Sequence, residues 1–174
     1  MGSGNRLNQG PGAVSCGEFS SSSILNMSVA ASVVLKAQSG RFVQANGSGY
    51  ISAGSATAVD VVGWVLGNSD LIAPTSAGAV GWDVEINFLN KLWVMPACKA
   101  AGAVVTEAEL LGAIGTTFDI QMVSTYYQYA NLGASTVDIL LGYGYIYEGS
   151  AVGQQYMIVK VNPVKLVYGT HSDV

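Results

Sequence analysis

The stretch Leu92-Trp-Val-Met-Pro-Ala-Cys-Lys-Ala-Ala-Gly-Ala-Val-Val-Thr-Glu-Ala-Glu-Leu-Leu-Gly-Ala-Ile-Gly-Thr-Thr-Phe-Asp-Ile-Gln-Met-Val123 contains a complete set of helix start and stop signals between two strand-like runs. Thr106 with Glu109 three residues on is a capping box: the hydroxyl accepts from the Glu109 N–H while the carboxylate accepts from the Thr106 N–H. Val105 before the cap and Leu110 at the fourth helical position form a hydrophobic staple, and Gly115 supplies a left-handed closing residue. Leu110, Leu111 and Ile114 give one apolar stripe. The predicted helix, about 106–114, has only about two to three turns and is marginal by itself. It must therefore serve as a lid or plug on whatever Leu92–Ala97 and Thr116–Val123 build.

Working outward, the chain reads as short β runs between Gly, Ser and Asn turns, the pattern of an antiparallel β-barrel or sandwich. Ser28–Ala37 is β-branched rich. Arg41–Ala45 and Gly49–Ala53 flank Asn46-Gly47-Ser48, a hairpin signal because Asn-Gly takes positive φ at both turn positions. Val59–Leu66 is a further strand. In Trp82–Leu89 the apolar Val84 and Ile86 alternate with Asp83, Glu85 and Asn87, as in a half-buried strand. In Thr116–Val123, Phe118, Ile120 and Met122 share a side opposite Asp119 and Gln121. Tyr126–Tyr129 and the turn Gly133–Ser135 follow. In Val137–Tyr147, alternation puts Ile139, Leu141, Tyr143, Tyr145 and Tyr147 on one face, with Gly142 and Gly144 leaving a flat groove on the other for a close backbone or ring. Tyr156–Val161 is the last core strand, ended by Asn162-Pro163. The expected organisation is a Gly/Ser-rich arm over residues 1–23 and one β domain over 24–170. The arm lacks the apolar run of about 7–15 residues of a signal peptide and can span up to about 75 Å when extended.

Half of the 174 residues are hydrophobic, only 10% are charged, and the mean hydropathy is +0.39. An ordinary domain carries roughly a quarter charged residues, so part of the surface is expected to face something other than water. No run reaches about 18 apolar residues, which excludes a membrane helix. An outer-membrane barrel fits the pattern less badly but would need a signal peptide that the N-terminus does not show. Burial against other protein chains is therefore the expectation. A net charge of −4 with scattered Lys and Arg argues against nucleic acid as a partner.

Catalytic sets are missing. His171 is the only histidine and lies in the C-terminal tail, so no Ser-His or Cys-His dyad and no zinc set can form. Cys16 and Cys98 have no ligand spacing and read as free thiols of a reducing compartment, or as a pair if the arm folds back. Asp60, Asp83, Glu85, Asp119 and Asp138 each fall on the polar side of a predicted strand, as solvent-facing or interface charge rather than an acid/base pair. Gly142-Tyr-Gly-Tyr-Ile-Tyr147 lacks the third glycine and following helix of a dinucleotide site. No catalytic residue, cofactor or metal is expected. Nine Tyr against four Phe favours aromatics suited to interfaces; the Tyr stripe reads as sheet packing, a subunit interface or a sugar-stacking platform.

The order of features from Val34-Leu-Lys-Ala-Gln-Ser-Gly-Arg-Phe-Val43 through Val59–Val65 with its Gly-Trp-Val end, Leu92–Ala97, the helix from Thr106, Ile114-Gly-Thr-Thr-Phe-Asp-Ile120 and Ile158-Val-Lys-Val-Asn-Pro163 resembles the head-decoration, or capsid cement, proteins of tailed bacteriophages. The likeness covers roughly residues 33–165, and the Tyr-rich segment 126–147 departs from it. It implies a β domain on the outside of the virion capsid, made in the host cytoplasm, with the major capsid protein as partner, a trimer or other homo-oligomer, and no active site. The expected interface residues are Arg6, Leu7 and Phe19 on the arm and Tyr143, Tyr145 and Tyr147 for self-association. The competing expectations are a carbohydrate- or receptor-binding module, a jelly-roll shell subunit, and, most distantly, a carboxylate-dependent glycosidase.

Overall fold

The computed structural model describes residues 14–15, 24–36, 41–46, 48–55, 61–67, 70–72, 74–86, 91–123 and 127–165. It is mainly β, with two sheets and one short α-helix. Within the N-terminal arm, β1 (Val14–Ser15) pairs antiparallel with the strand at Trp93–Val94. Arg6, Leu7 and Phe19 lie outside the described residues.

The first sheet is built from β2 (Ile24–Ser28), β4 (Phe42–Ala45), β5 (Ile51–Ala53), β6 (Val61–Val65) and β8 (Gly81–Glu85), while β3 (Val34–Leu35) and β7 (Leu71–Ile72) form a separate ribbon. The antiparallel order β2-β8-β6-β4-β5 is rolled toward closure by a bridge from Val29 to Ile51, where the Ala30 N–H donates to the Ile51 carbonyl at 2.9 Å. Val29, Leu35, Val43, Ile51, Val62, Val65, Trp82 and Val84 fill its interior. Val-Val-Gly-Trp-Val of β6 is buried throughout. Val62 and Val65 face that interior while Val61 and Trp64 face the second sheet. A strand covered on both faces reads as an unbroken apolar run.

The second sheet uses β9 (Trp93–Cys98), β10 (Thr117–Val123), β11 (Tyr127–Asn131), β12 (Leu140–Tyr147) and β13 (Gln155–Val161). Its order β9-β11-β10-β12-β13 closes into a barrel because β13 returns to β9. All pairs are antiparallel except β9 with β11. The partners of β9 change from β1 at Trp93–Val94 to β11 at Ala97–Cys98, and Pro96, with no N–H to give, falls at the change. Trp93, Met95, Phe118, Ile120, Ala130, Leu140, Met157, Val159 and Val161 fill the barrel, and Phe42, Val61 and Trp64 of the first sheet join that core. Phe42 meets Trp64 and Trp93 edge-on at 4.9 and 5.2 Å between centroids. Gln128, fully buried, crosses between the sheets: its amide donates to the carbonyls of Phe42 and Gly54 at 2.7 and 2.9 Å and accepts from the Phe42 N–H at 2.8 Å.

Three local expectations are corrected. Ser28–Ala37 is not one strand: β2 and β3 are parted by a turn in which Ser32 takes φ 61°. In the β4–β5 hairpin the positive φ falls on Gly49, at 81°, rather than on Asn46, whose side-chain oxygen instead accepts from the N–H groups of Ser48 and Tyr50 at 3.0 Å. Glu85 and Asp119 are buried. Glu85 does lie on the side of β8 opposite Val84, but there β8 faces the second sheet, and its carboxylate pairs with Lys91 at 3.1 Å. Asp119 accepts from the N–H groups of Thr136, Val137 and Asp138 at 3.0, 2.9 and 2.8 Å, tying down the loop before β12.

Candidate functional site

The helix is α1 (Glu107–Gly112), with both halves of the capping box formed: the Thr106 N–H donates to Glu109 Oε2 at 2.8 Å and the Glu109 N–H to the Thr106 hydroxyl at 3.3 Å. Lys99, just beyond β9, forms an ion pair with the same carboxylate. That pairing, with the two Thr106 hydrogen bonds, holds the Glu109 carboxyl down at about 2 from an ordinary 4.5. A carboxyl depressed in the folded state stabilises fully above its unfolded pKa, and the contribution fades as pH falls from about 4.5 to about 2. Separately, Thr106→Ala removes the N-cap oxygen that accepts from the Glu109 N–H, a change that should cost about 1 kcal/mol in melting experiments. Melting curves of wild type and Glu109→Gln should converge as the pH is lowered through that window; a gap that persisted at the acid end would contradict this account.

The plug expected from the sequence is present, though its faces are redistributed. Leu110, Val105 and Ala113 enter the barrel core, and burying Leu110 contributes roughly 1.5–3 kcal/mol. Leu111 and Ile114, expected on the same stripe, are 58% and 41% exposed. With one and a half turns, the helix can hold only one residue of that stripe in the barrel mouth.

Beyond the helix, Gly115 takes φ 78° and its N–H donates to the Gly142 carbonyl at 2.9 Å, while the Gly142 N–H donates to the Thr116 carbonyl at 3.0 Å. The groove expected at the β12 glycines is thus filled, at Gly142, by the helix's own end: a Cβ there would stand 2.4 Å from the Ala113 carbonyl oxygen. The pairing of β12 with β13 slips between Gly142 and Gly144, so Tyr143 is an extra, bulged residue. A bulge reverses the alternation of inward and outward side chains. Leu140 and Gly142 before it share the core face with Val161 and Val159, and Tyr145 and Tyr147 after it share that face with Met157 and Gln155. The three tyrosines consequently do not form one stripe. Tyr145 packs against the core and donates to the Glu107 carboxylate at 3.2 Å, while Tyr143 and Tyr147 are exposed. Desolvation and the neighbouring Glu107 charge push the Tyr145 phenol above its usual range, which keeps it a donor.

From Tyr147 the chain enters a turn pinned by its own groups. Glu148 N–H donates to the Gln154 carbonyl at 2.9 Å, Ala151 N–H to the Gln154 side chain at 3.2 Å, and the buried Gln155 amide to the Ala151 carbonyl at 2.7 Å. Its tip carries exposed Val152. Of the eight large apolar side chains exposed among the described residues, Leu111, Ile114, Tyr143, Tyr147 and Val152 belong to α1 and its junction, β12 and this turn, whereas Leu25, Val80 and Val164 stand apart. That concentration at the plugged end of the barrel is the candidate interaction surface. The tyrosine bias of β12 marked Tyr143 and Tyr147 in the sequence, whereas Leu111 and Ile114 read as core and the bulge at Tyr143 has no local signature.

The rest of the site chemistry is sparse. The cleft between α1 and the turn at Leu132–Gly133 holds the Lys99–Glu109 pair and Thr116, whose hydroxyl is spent on the Ala113 carbonyl at 2.9 Å. Cys98 is a free, buried thiol, pushed up to about 12 by desolvation and so a poor nucleophile. Asp83 accepts from the Asn26 amide at 2.9 Å, and Asp138 accepts from the Thr117 hydroxyl at 2.7 Å with φ at 60°. Asp60, Cys16 and His171 lie outside the described residues. Among the described residues no group of three His, Cys, Asp or Glu could hold a metal, and no helix is long and apolar enough to cross a membrane. Set against protein-family profiles, curated proteins and solved structures, the chain matches none of them.

Proposed function

We propose that the chain is a non-enzymatic structural protein of a virion that binds the outside of a tailed-phage capsid and stabilises the lattice of the major capsid protein, acting as a trimer or another homo-oligomer. The observation that carries this reading is the gathering of Leu111, Ile114, Tyr143, Tyr147 and Val152 at one end of a chain that is only 10% charged. Exposed apolar patches on small proteins mark contact sites. Repetition over a lattice lets modest single contacts give firm attachment. A rigid plug, a bulged strand and an internally bonded turn present those side chains at little ordering cost. The arm, with Arg6, Leu7 and Phe19, is a second contact in this reading.

The test is direct: shells stripped of decoration are incubated with the purified chain and imaged by cryo-electron microscopy. Regular occupancy of one kind of lattice position, with genome release moved to higher temperature, is the expected outcome. Empty lattice positions at saturating protein would reject the reading. Exposed Tyr143 and Tyr147 also suit stacking on a sugar ring, which favours a carbohydrate- or receptor-binding module as the second reading; a glycan array with a reproducible hit, lost in Tyr143→Ser, would move the assignment there.

A further inference from the structure

We infer that the plugged end of the barrel docks a protein unlike this chain, a surface bearing an apolar hollow rimmed by Lys or Arg side chains; this rests on the capsid-binding reading and identifies which face of the chain meets the lattice. Leu111, Ile114 and Tyr143 are brought together by the backbone: Ile114 and Tyr143 flank the hydrogen-bonded pair Gly115–Gly142, and Leu111 lies one helical turn from Ile114. The charges at the end itself, on α1 and on the turn after β12, include two acidic groups outside any described ion pair. Glu107 at the start of α1 and Glu148 after β12 are exposed, and neither forms an ion pair among the described residues. Lys99 is already matched by Glu109, and Lys160, opposite Leu141, stands on the outer wall on the Leu141 side of Tyr143, away from the plugged end. If two copies met through this end about a two-fold axis, the same patch would face itself, and Glu107 and Glu148 would be brought toward their own copies in a drying interface. Like charges brought together in that way suppress a pairing, whereas a basic rim on the partner steers and orients it. A two-fold self-contact through this end is therefore disfavoured, and self-association in a ring would have to set this end against a different surface of the next copy.

The full chain and its variants are tested for co-sedimentation with stripped shells, alongside the oligomeric mass of each free protein and its melting temperature. Leu111→Asp should weaken shell binding at least about tenfold, the effect of exposing a buried leucine-sized contact. Glu107→Lys with Glu148→Lys should weaken it by a similar factor and flatten its dependence on salt between about 50 and about 300 mM, where screening removes rim attraction. Leu25→Asp, on the far sheet, should bind like the wild type, and all four proteins should keep one oligomeric mass. Melting temperatures should stay near wild type except for a modest fall in the charge-reversed variant, where the Tyr145 hydroxyl loses Glu107 as acceptor. Undiminished binding by Leu111→Asp or by the charge-reversed variant overturns the assignment of this face while leaving the capsid reading intact. A fall in oligomeric mass for Leu111→Asp overturns it differently, by making the end a self-contact. Failure of the wild type to bind shells removes the reading beneath it, and the inference with it.

Discussion

Lys91→Met should lower the unfolding free energy by about 3–5 kcal/mol, the usual cost of removing one member of a buried ion pair. Lys91 lies just before β9 and Glu85 ends β8, so their contact joins the two sheets. The Lys91 ammonium is 3.1 Å from the Glu85 carboxylate, and the two side chains are 7% and 0% exposed. Without Lys91 the Glu85 carboxylate would remain on a face pressed against the second sheet, opposite Trp64, unable to reach bulk water. Much of the expected loss is the cost of keeping that carboxylate buried without the Lys91 charge, rather than the attraction of the pair. Glu85→Leu combined with Lys91→Met should accordingly recover most of the stability, because well-packed apolar replacements of buried pairs are often neutral or better. Urea unfolding of the single and double variants measures this. A Lys91→Met variant within about 0.5 kcal/mol of wild type, the range of an ordinary surface change, would mean that the pair is solvated.

The same pair illustrates what the sequence could and could not disclose. Alternation along β8 correctly separates Trp82 and Val84 from Asp83 and Glu85, but it cannot tell that one polar position meets water and the next meets a second barrel. That distinction depends on residues far along the chain, among them Lys91 and Trp93. Asp119 fails to read for the same reason, since its partners are backbone N–H groups of Thr136, Val137 and Asp138. By contrast, the start of α1 is legible to the residue, because a capping box is written within four consecutive positions. The alternation of Phe118, Ile120 and Met122 against Asp119 and Gln121 is legible too: β10 is regular and lines a core. The tyrosines of β12 are misassigned to one face because the extra residue at Tyr143 is imposed by pairing with β13, a partner that begins eight residues after β12 ends. The interaction surface is therefore the least legible part: it is made of residues whose local patterns predict burial or alternation and whose exposure is decided by closure of the barrel.

Gly142→Ala is expected to destabilise the fold by about 1–3 kcal/mol, as overpacking of a filled interior does, and to disturb the candidate surface at the same time. The new methyl would lie 2.4 Å from the Ala113 carbonyl oxygen, 3.0 Å from Met157 Cε and 3.2 Å from Phe118 Cε1. Methionine can yield. The carbonyl cannot, because it belongs to the last residue of the plug and the adjoining Gly115 is held to the Gly142 carbonyl at 2.9 Å. The strain can be relieved only by lifting α1 from the barrel mouth, which uncovers the site of Leu110 and shifts Leu111 and Ile114 relative to Tyr143. Gly144→Ala, two residues on, supplies the contrast: its Cβ would meet Ile158 Cδ1 at 3.4 Å, an ordinary contact on the outer wall, so its melting temperature should stay near that of wild type. If both variants melted alike, close approach at Gly142 could not be what seats the helix. If only Gly142→Ala lost stability while still binding shells as tightly as wild type, the register of α1 against β12 would be separable from docking, and the contacts that matter would have to lie on the Tyr147–Val152 side of the same end.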